Sequence, residues 1–256
     1  MMDKILALDA GNTRLKWALF NADGTLLESG ACQNTSISQA KLPDAEHIVI
    51  SNVAGVYIKN QLENILPKQL SLHWVSATDN ECGVKNHYTE VEKLGTDRWA
   101  ALVAAWNIKQ APCVVVNAGT ALTIDALNAH GDFIGGMIVP GIHLMQTSLG
   151  IATAQLPSIP TEIPHSAVNN HYQDVFAKDT EDAMRAGAIH AACGAITQMH
   201  ANLAKTCEST PLILVSGGNA QVIKDNLLGD VTNLVLIVDN LVLRGLYLIE
   251  NAILKK

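Results

Sequence analysis

The chain has 256 residues, 48% hydrophobic, 16% charged and only 4% aromatic. This excludes a disordered or fibrous polymer and allows two compact cores built from Ala, Leu, Val and Ile. A formal net charge of −7 argues against a general nucleic-acid binder, which needs a positive excess to release phosphate counterions. A small anionic ligand held by backbone amides remains compatible with it.

At the start, the apolar run Ile5 to Leu8 is too short for a signal-peptide core, and no later segment approaches the length of a membrane span. The run stops at Asp9, turns through Gly11-Asn12-Thr13, resumes alternation, and meets a second turn at Asn21-Ala22-Asp23-Gly24. This reads as strand, polar turn, strand, tight turn and third strand. The first turn has two readings. In one it is a hairpin in which Asp and Asn bond their own backbone. In the other its amides cradle phosphate oxygens, with side-chain donors from Asn12 and Thr13 and a Mg²⁺ partner in Asp9.

His47 to Val53 and Ser71 to Ser76 read as further strands of the first half. After Gly95-Thr96-Asp97-Arg98, the positions Trp99, Leu102, Val103 and Trp106 fall on one helical face. Asp97 then lies at the start of that helix, where exposed amides favour an anion. Phosphoryl transfer needs such a carboxylate as proton acceptor, with a cation near the moving charge. The plain alternative is a helix start capped by Thr96, with Asp97 and Arg98 solvated.

The helical pattern ends at Gln110-Ala111-Pro112, and the opening design then recurs. An apolar run from Cys113 meets Asn117-Ala118-Gly119-Thr120, alternates, and turns at Asn128-Ala129-His130-Gly131. Asp9 and Asn21 are 12 residues apart, Asn117 and Asn128 are 11 apart, and the first copy contains the extra Asn12. Two turn signals in the same order predict duplicated α/β halves, divided as domains 1–110 and 111–256. Gly135-Gly136 through Pro140-Gly141 reads as a flexible segment before a helix, either a cleft lining or a connector. Ile159 to Asp174 reads as a polar binding loop. Thr180 to Lys205 is an Ala-rich helix with Asp179 or Thr180 as cap. Leu212 to Ser216 is a buried strand running into Gly217-Gly218-Asn219, a place for a flat base to approach or a simple strand-to-helix turn. A closing helix begins after Asp239-Asn240.

The nine histidines form no metal-binding spacing, and the chain contains neither Gly-x-x-x-x-Gly-Lys-Ser/Thr nor Gly-x-Ser-x-Gly. The five cysteines are scattered without Cys-x-x-Cys and read as free thiols. A cytoplasmic protein with no nucleic-acid or membrane partner is the expectation.

Taken in order, Asp9-Ala10-Gly11-Asn12-Thr13, Tyr88 with Leu94-Gly-Thr-Asp-Arg98-Trp99, Asn117-Ala-Gly-Thr120 with Thr123 and Asp125, Gly135-Gly with Pro140-Gly141, Thr180 to Gly187, Ser216-Gly-Gly218 and Asp239 to Gly245 form a series. In it the chain resembles the type III pantothenate kinases, also described as Bvg accessory factors, of the acetate kinase, sugar kinase, chaperone and actin superfamily. The resemblance implies two ribonuclease-H-like, actin-like ATPase domains with mixed sheets flanked by helices. It implies transfer of the γ-phosphoryl of ATP to the 4′-hydroxyl of pantothenate, the first step towards coenzyme A. By position it assigns Asp97 as general base. ATP would meet Asp9, Ala10, Gly11, Asn12, Thr13, Arg14, Leu15 and Lys16, together with Thr120, Gly217 and Gly218. Mg²⁺ would lie by Asp9, and pantothenate by Tyr88, Gly95, Thr96, Asp97, Arg98 and Thr180. A homodimer and a monovalent cation, K⁺ or NH₄⁺, are also implied. The family has Asp where this chain has Asn117, the expected monovalent-cation ligand, and a proline where this chain has Val91. An amide at 117 implies weaker cation dependence, or a catalytically weak regulatory or nucleotide-sensing homologue. A kinase of another small hydroxyl compound is the remaining alternative.

Overall fold

The computed structural model describes residues 4–154, 156–157 and 175–255; the loop expected at Ile159 to Asp174 lies outside the described residues. The chain forms two compact units. One comprises Met1–Ala111, Ala129–Gly135 and Asn240–Lys256, and the other Pro112–Asn128 and Gly136–Asp239.

The first unit is built on strands β1 (Ile5–Ala10), β2 (Arg14–Phe20), β3 (Leu26–Gln33), β4 (His47–Asn52) and β5 (Leu72–Trp74). They lie in the order β3-β2-β1-β4-β5, antiparallel from β3 to β1 and parallel from β1 to β5. Side chains alternate across this sheet. Leu6, Leu8, Ala10, Ile48 and Ile50 point to one face, where Leu15, Leu19, Ile37, Ile58 and Leu62 complete a core with helix α1 (Val56–Ile65). Removing each fully buried Leu or Ile from water contributes roughly 1.5–3 kcal/mol. Ile5, Ala7 and Val49 point the other way, beneath helices α2 (Thr96–Lys109) and α6 (Leu241–Leu254). In α2 all residues from Arg98 to Ala105 are buried, so the single apolar face read from the sequence was only part of its contact surface. Its alanines meet α6, and Gly245 of α6 sits so close to the Ala100 carbonyl that a Cβ there would overlap it. A short hairpin, β6 (Asn80–Glu81) and β7 (Val84–Asn86), was not foreseen.

The second unit repeats the plan with β8 (Cys113–Ala118), β9 (Ala121–Leu127), β11 (Leu212–Ser216), β12 (Val235–Ile237) and the later part of β10 (Asp132–Pro140), whose first residues, up to Gly135, belong to the first unit. Their sheet has the order β12-β11-β8-β9-β10-β7-β6, with β8 and β9 antiparallel, β8, β11 and β12 parallel, and the β6–β7 hairpin added beside the start of β10. Without that added hairpin, and with the strands renumbered, both sheets read 3-2-1-4-5. The tight turn before the third strand has a glycine at positive φ in both copies, Gly24 at 87° and Gly131 at 78°. The expected α/β fold with two duplicated ribonuclease-H-like sheets is therefore the fold observed. Helices α3 (Ile142–Ala152), α4 (Thr180–Cys207) and α5 (Ala220–Asn226) belong to this unit, and its core gathers Val114, Val116, Ile124, Ile189, Ile196 and Val215. Asp179 caps α4 by accepting the Asp182 amide at 2.9 Å.

Two details correct the reading of the chain. The segment Gly135 to Pro140, expected as a flexible segment that is either a cleft lining or a connector, is part of strand β10, which carries the third-strand pattern through its glycines. Domains of 1–110 and 111–256 would put Ala129–Gly135 and the closing helix in the second half, whereas both belong to the first unit. The reason is packing: α6 finds its small-residue groove on α2. All five cysteines are free, and burial pushes the Cys113 thiol up to about 12 and Cys193 to about 11, which leaves them inert.

Candidate active site

In the first unit, the ends of β1 and β4 converge on the start of α2. Asp9 is the penultimate residue of β1, opposite Lys16 on β2 and Ser51 on β4. Alternation puts it on the α2 and α6 face of the sheet, and it is only 8% exposed. The Ser51 hydroxyl, fully buried, lies 2.7 Å from the Thr96 hydroxyl, which ties the first residue of α2 to β4. Thr96 is thus not the helix cap that one reading of the sequence made it. Gly95 holds that position, without a side-chain cap bond.

Asp97 is the second residue of α2. Its Oδ1 accepts the Arg98 amide at 2.8 Å and lies 2.7 Å from where a Cβ on Gly95 would stand. Glycine at 95 therefore leaves room for the carboxylate to fold back over the helix start. A carboxylate in this partly dry setting holds its proton more tightly, the more so beside a second carboxylate. Burial, then the charge of Asp97, pushes Asp9 up to about 7 against the pull of Lys16. Burial also raises Asp97, while the Arg98 amide and guanidinium oppose the shift. The Oδ1 atom of Asp9 is buried without a hydrogen-bond partner. Such an orphaned oxygen beside a second carboxylate suits a divalent cation, which would satisfy it and relieve the repulsion.

The hairpin turn after Asp9 is closed by Gly11 N–H to the Arg14 carbonyl at 3.1 Å. Asn34, just after β3, donates through Nδ2 to the carbonyls of Gly11 at 2.9 Å and Asn12 at 3.0 Å, while its own amide donates to Thr13 O. Ala10 and Leu15 are buried core residues, whereas Asn12, Thr13, Arg14 and Lys16 are exposed at the tip. Asn34 went unnoticed in the sequence because nothing in its neighbourhood announces a contact with a turn more than 20 residues earlier.

Beside this tip, Arg98 is 4% exposed and donates through Nη1 to the Tyr88 hydroxyl at 3.2 Å. Its guanidinium carbon is 5.6 Å from the Tyr88 ring centroid and 5.8 Å from that of Phe133. Tyr88 is held in turn by Asn86, whose Oδ1 accepts the Tyr88 amide at 3.0 Å.

In the second unit the equivalent strand tip carries Asn117 opposite Thr123 on β9 and Ser216 on β11. Asp9, Lys16 and Ser51 are thus replaced by Asn117, Thr123 and Ser216. The turn is closed by Gly119 N–H to Ala121 O at 3.1 Å, one residue tighter than its counterpart because it lacks the extra asparagine. Gly217, at φ 102°, lies against Ala118, where a Cβ would come within 2.6 Å of the Ala118 carbonyl oxygen, and the Asn219 amide donates to that oxygen at 3.3 Å. The Gly217-Gly218 turn thus lies against the end of β8. Asn117 Nδ2 and Thr123 Oγ1 are buried without partners. An amide at this position keeps one acceptor oxygen, Oδ1, but brings none of the negative charge that a carboxylate would offer a cation. Thr180 lines an open pocket of about 520 Å³ with Leu149, Lys178, Asp179, Ala183 and Met184.

Residues 5–202 match the family model described as type III pantothenate kinase. The chain belongs to the type III pantothenate kinase family. It is 40% identical over 247 residues to the type III pantothenate kinase of Nitrosospira multiformis, covering 94% of this chain and 89% of that one. With the enzyme of the same name from Methylobacillus flagellatus it shares 38% over 260 residues, 98% of this chain and all of the relative. Among solved structures, a Baf family protein from Campylobacter jejuni aligns with a TM-score of 0.60 at 21% identity, covering 98% and 100% of the two chains. The activator of 2-hydroxyisocaproyl-CoA dehydratase from Clostridium difficile aligns at 0.53 and 10% identity, covering 98% and 96%. These two likenesses speak for the fold. Family membership makes this chain a kinase that phosphorylates pantothenate with ATP on the way to coenzyme A.

Proposed function

We propose that Asp97 is the general base of this pantothenate kinase and that Asp9 anchors Mg²⁺ beside the triphosphate. The observation that carries this reading is the pairing of Asp97, half-buried at the start of α2, with the buried, partnerless oxygen of Asp9. Asp9 would hold the divalent cation, whose charge would offset the negative charge that moves to the leaving group. Asp97 accepts the 4′-hydroxyl proton as the new O–P bond forms and the bond from the γ-phosphorus to ADP breaks. Lys16 and the turn from Asp9 to Thr13 steady the phosphates. Tyr88, Gly95, Thr96, Arg98 and Thr180 hold pantothenate, while Thr120, Gly217 and Gly218 receive the nucleotide.

The same reading includes a homodimer in the cytoplasm. It also includes a weak response to K⁺ or NH₄⁺, because Asn117 keeps a carbonyl oxygen but lacks the negative charge of a carboxylate. Rates across a K⁺ series should stay within about twofold for the wild type and rise for Asn117→Asp, which restores the charge; equal, strong activation of both proteins counts against this. Incubation with ATP, Mg²⁺ and pantothenate, followed by mass detection of phosphopantothenate, tests the base. Asp97→Asn should lose about 10²- to 10⁴-fold in kcat while still binding nucleotide. Full activity of that variant removes Asp97 from the role.

A further inference from the structure

We propose that Phe133 is a positioning residue for the substrate grip, fixing the Arg98 guanidinium through its ring face. This inference rests on the reading of Tyr88 and Arg98 as pantothenate contacts. Phe133 is fully buried on β10, and its ring stacks on Tyr88 with centroids 5.7 Å apart and planes 14° from parallel. The Arg98 guanidinium carbon stands 5.6 Å from one ring and 5.8 Å from the other, so the three groups form a nearly equilateral set. A cation at such distances is drawn to the electron-rich ring faces, and more strongly where water is scarce, as it is around an Arg that is 4% exposed.

The backbone makes this arrangement a built one. Phe133 pairs with Asn86 in the parallel ladder between β10 and β7. Its carbonyl accepts the His87 amide at 3.3 Å. Asn86 holds both sides of the Tyr88 loop, accepting from the Tyr88 amide at 3.0 Å and donating to the Val91 carbonyl at 3.3 Å. One strand residue thus fixes the height of the Phe133 ring, and its ladder partner fixes that of Tyr88. A flexible cationic side chain loses much rotamer freedom when it is held in one pose. Two rings and a hydroxyl meet that cost before substrate arrives, so Arg98 is preset.

Replacing Phe133 with mono-, di- and pentafluorophenylalanine tests the idea, since ring shape is nearly kept while the negative face is progressively weakened. The KM for pantothenate should climb with each step, to about tenfold for the pentafluoro ring, with kcat and the KM for ATP within about twofold. The Arg98 Nε resonance in ligand-free protein should move in step, and Phe133→Leu should reproduce the KM effect with a larger fall in Tm. A flat pantothenate KM together with an unmoved Arg98 resonance overturns the proposal. Arg98→Lys and Tyr88→Phe separate it from the reading it rests on. If neither raises the pantothenate KM, the substrate grip lies elsewhere, and the Arg98 resonance alone then decides whether Phe133 positions Arg98.

Discussion

Asp9 shows at the scale of one residue how a site built for a ligand weakens the empty fold. Its ordinary value of 3.8 rises to about 7 in the folded chain. Between these values the folded state therefore binds a proton that the unfolded state lacks, and stability falls as pH rises across that window. The shift corresponds to a penalty on the order of 4 kcal/mol at pH 8. Asp9→Asn, which cannot ionise, should be more stable than wild type at pH 8 in the presence of a chelator and little different at pH 4, as read from urea midpoints. The reverse order would contradict the burial argument. Gly95 makes the complementary case, because its missing Cβ leaves the space that the Asp97 carboxylate occupies. Gly95→Ala should leave Tm within a few degrees yet lower kcat by about tenfold or more, since the displaced atom belongs to a movable side chain and the fold can absorb it. Asp9, Gly95 and Asp97 were all legible in the sequence, being adjacent to a turn or a helix start. Ser51, Asn34 and Phe133 were not, because each acts through a partner distant in the chain and sits in an ordinary strand or loop pattern.

Among the elements, the α2 and α6 pair has the least tolerance. Gly245 lies against the Ala100 backbone, which cannot move aside as a side-chain tip could. Gly245→Ala should cost about 1–3 kcal/mol by overpacking, and Gly245→Val more, measured by denaturant unfolding. A surface change such as Lys255→Ala serves as the neutral comparison. The sequence revealed α2 by its periodicity and α6 as a closing helix but could not reveal that they touch, since periodicity names a face and not what covers it. It did reveal the duplicated hairpins, because the turns recur in the same order and turn chemistry is local. It misjudged Gly135-Gly136 for the same reason: glycine reads as a breaker, yet a strand neighbour kept the segment extended.

For the whole molecule, the duplication carries a division of labour between charge and neutrality. One copy ends in Asp9 and Lys16, the other in Asn117 and Thr123, on sheets of the same strand order. The sequence offered the repeat, but its assumption of continuous domains placed the last helix in the wrong half. That helix closes the first unit with residues from the end of the chain. Every residue of the second unit leaves the ribosome before Asn240, whereas β1, made first, must wait for the last helix to cover it. The half synthesised first is thus completed last. Chains stopped after Asp239 should show fast amide exchange throughout β1 and β4 while β8 and β11 stay protected. Until its final turn of synthesis, the nascent enzyme would expose a bare sheet face that a holding chaperone could recognise.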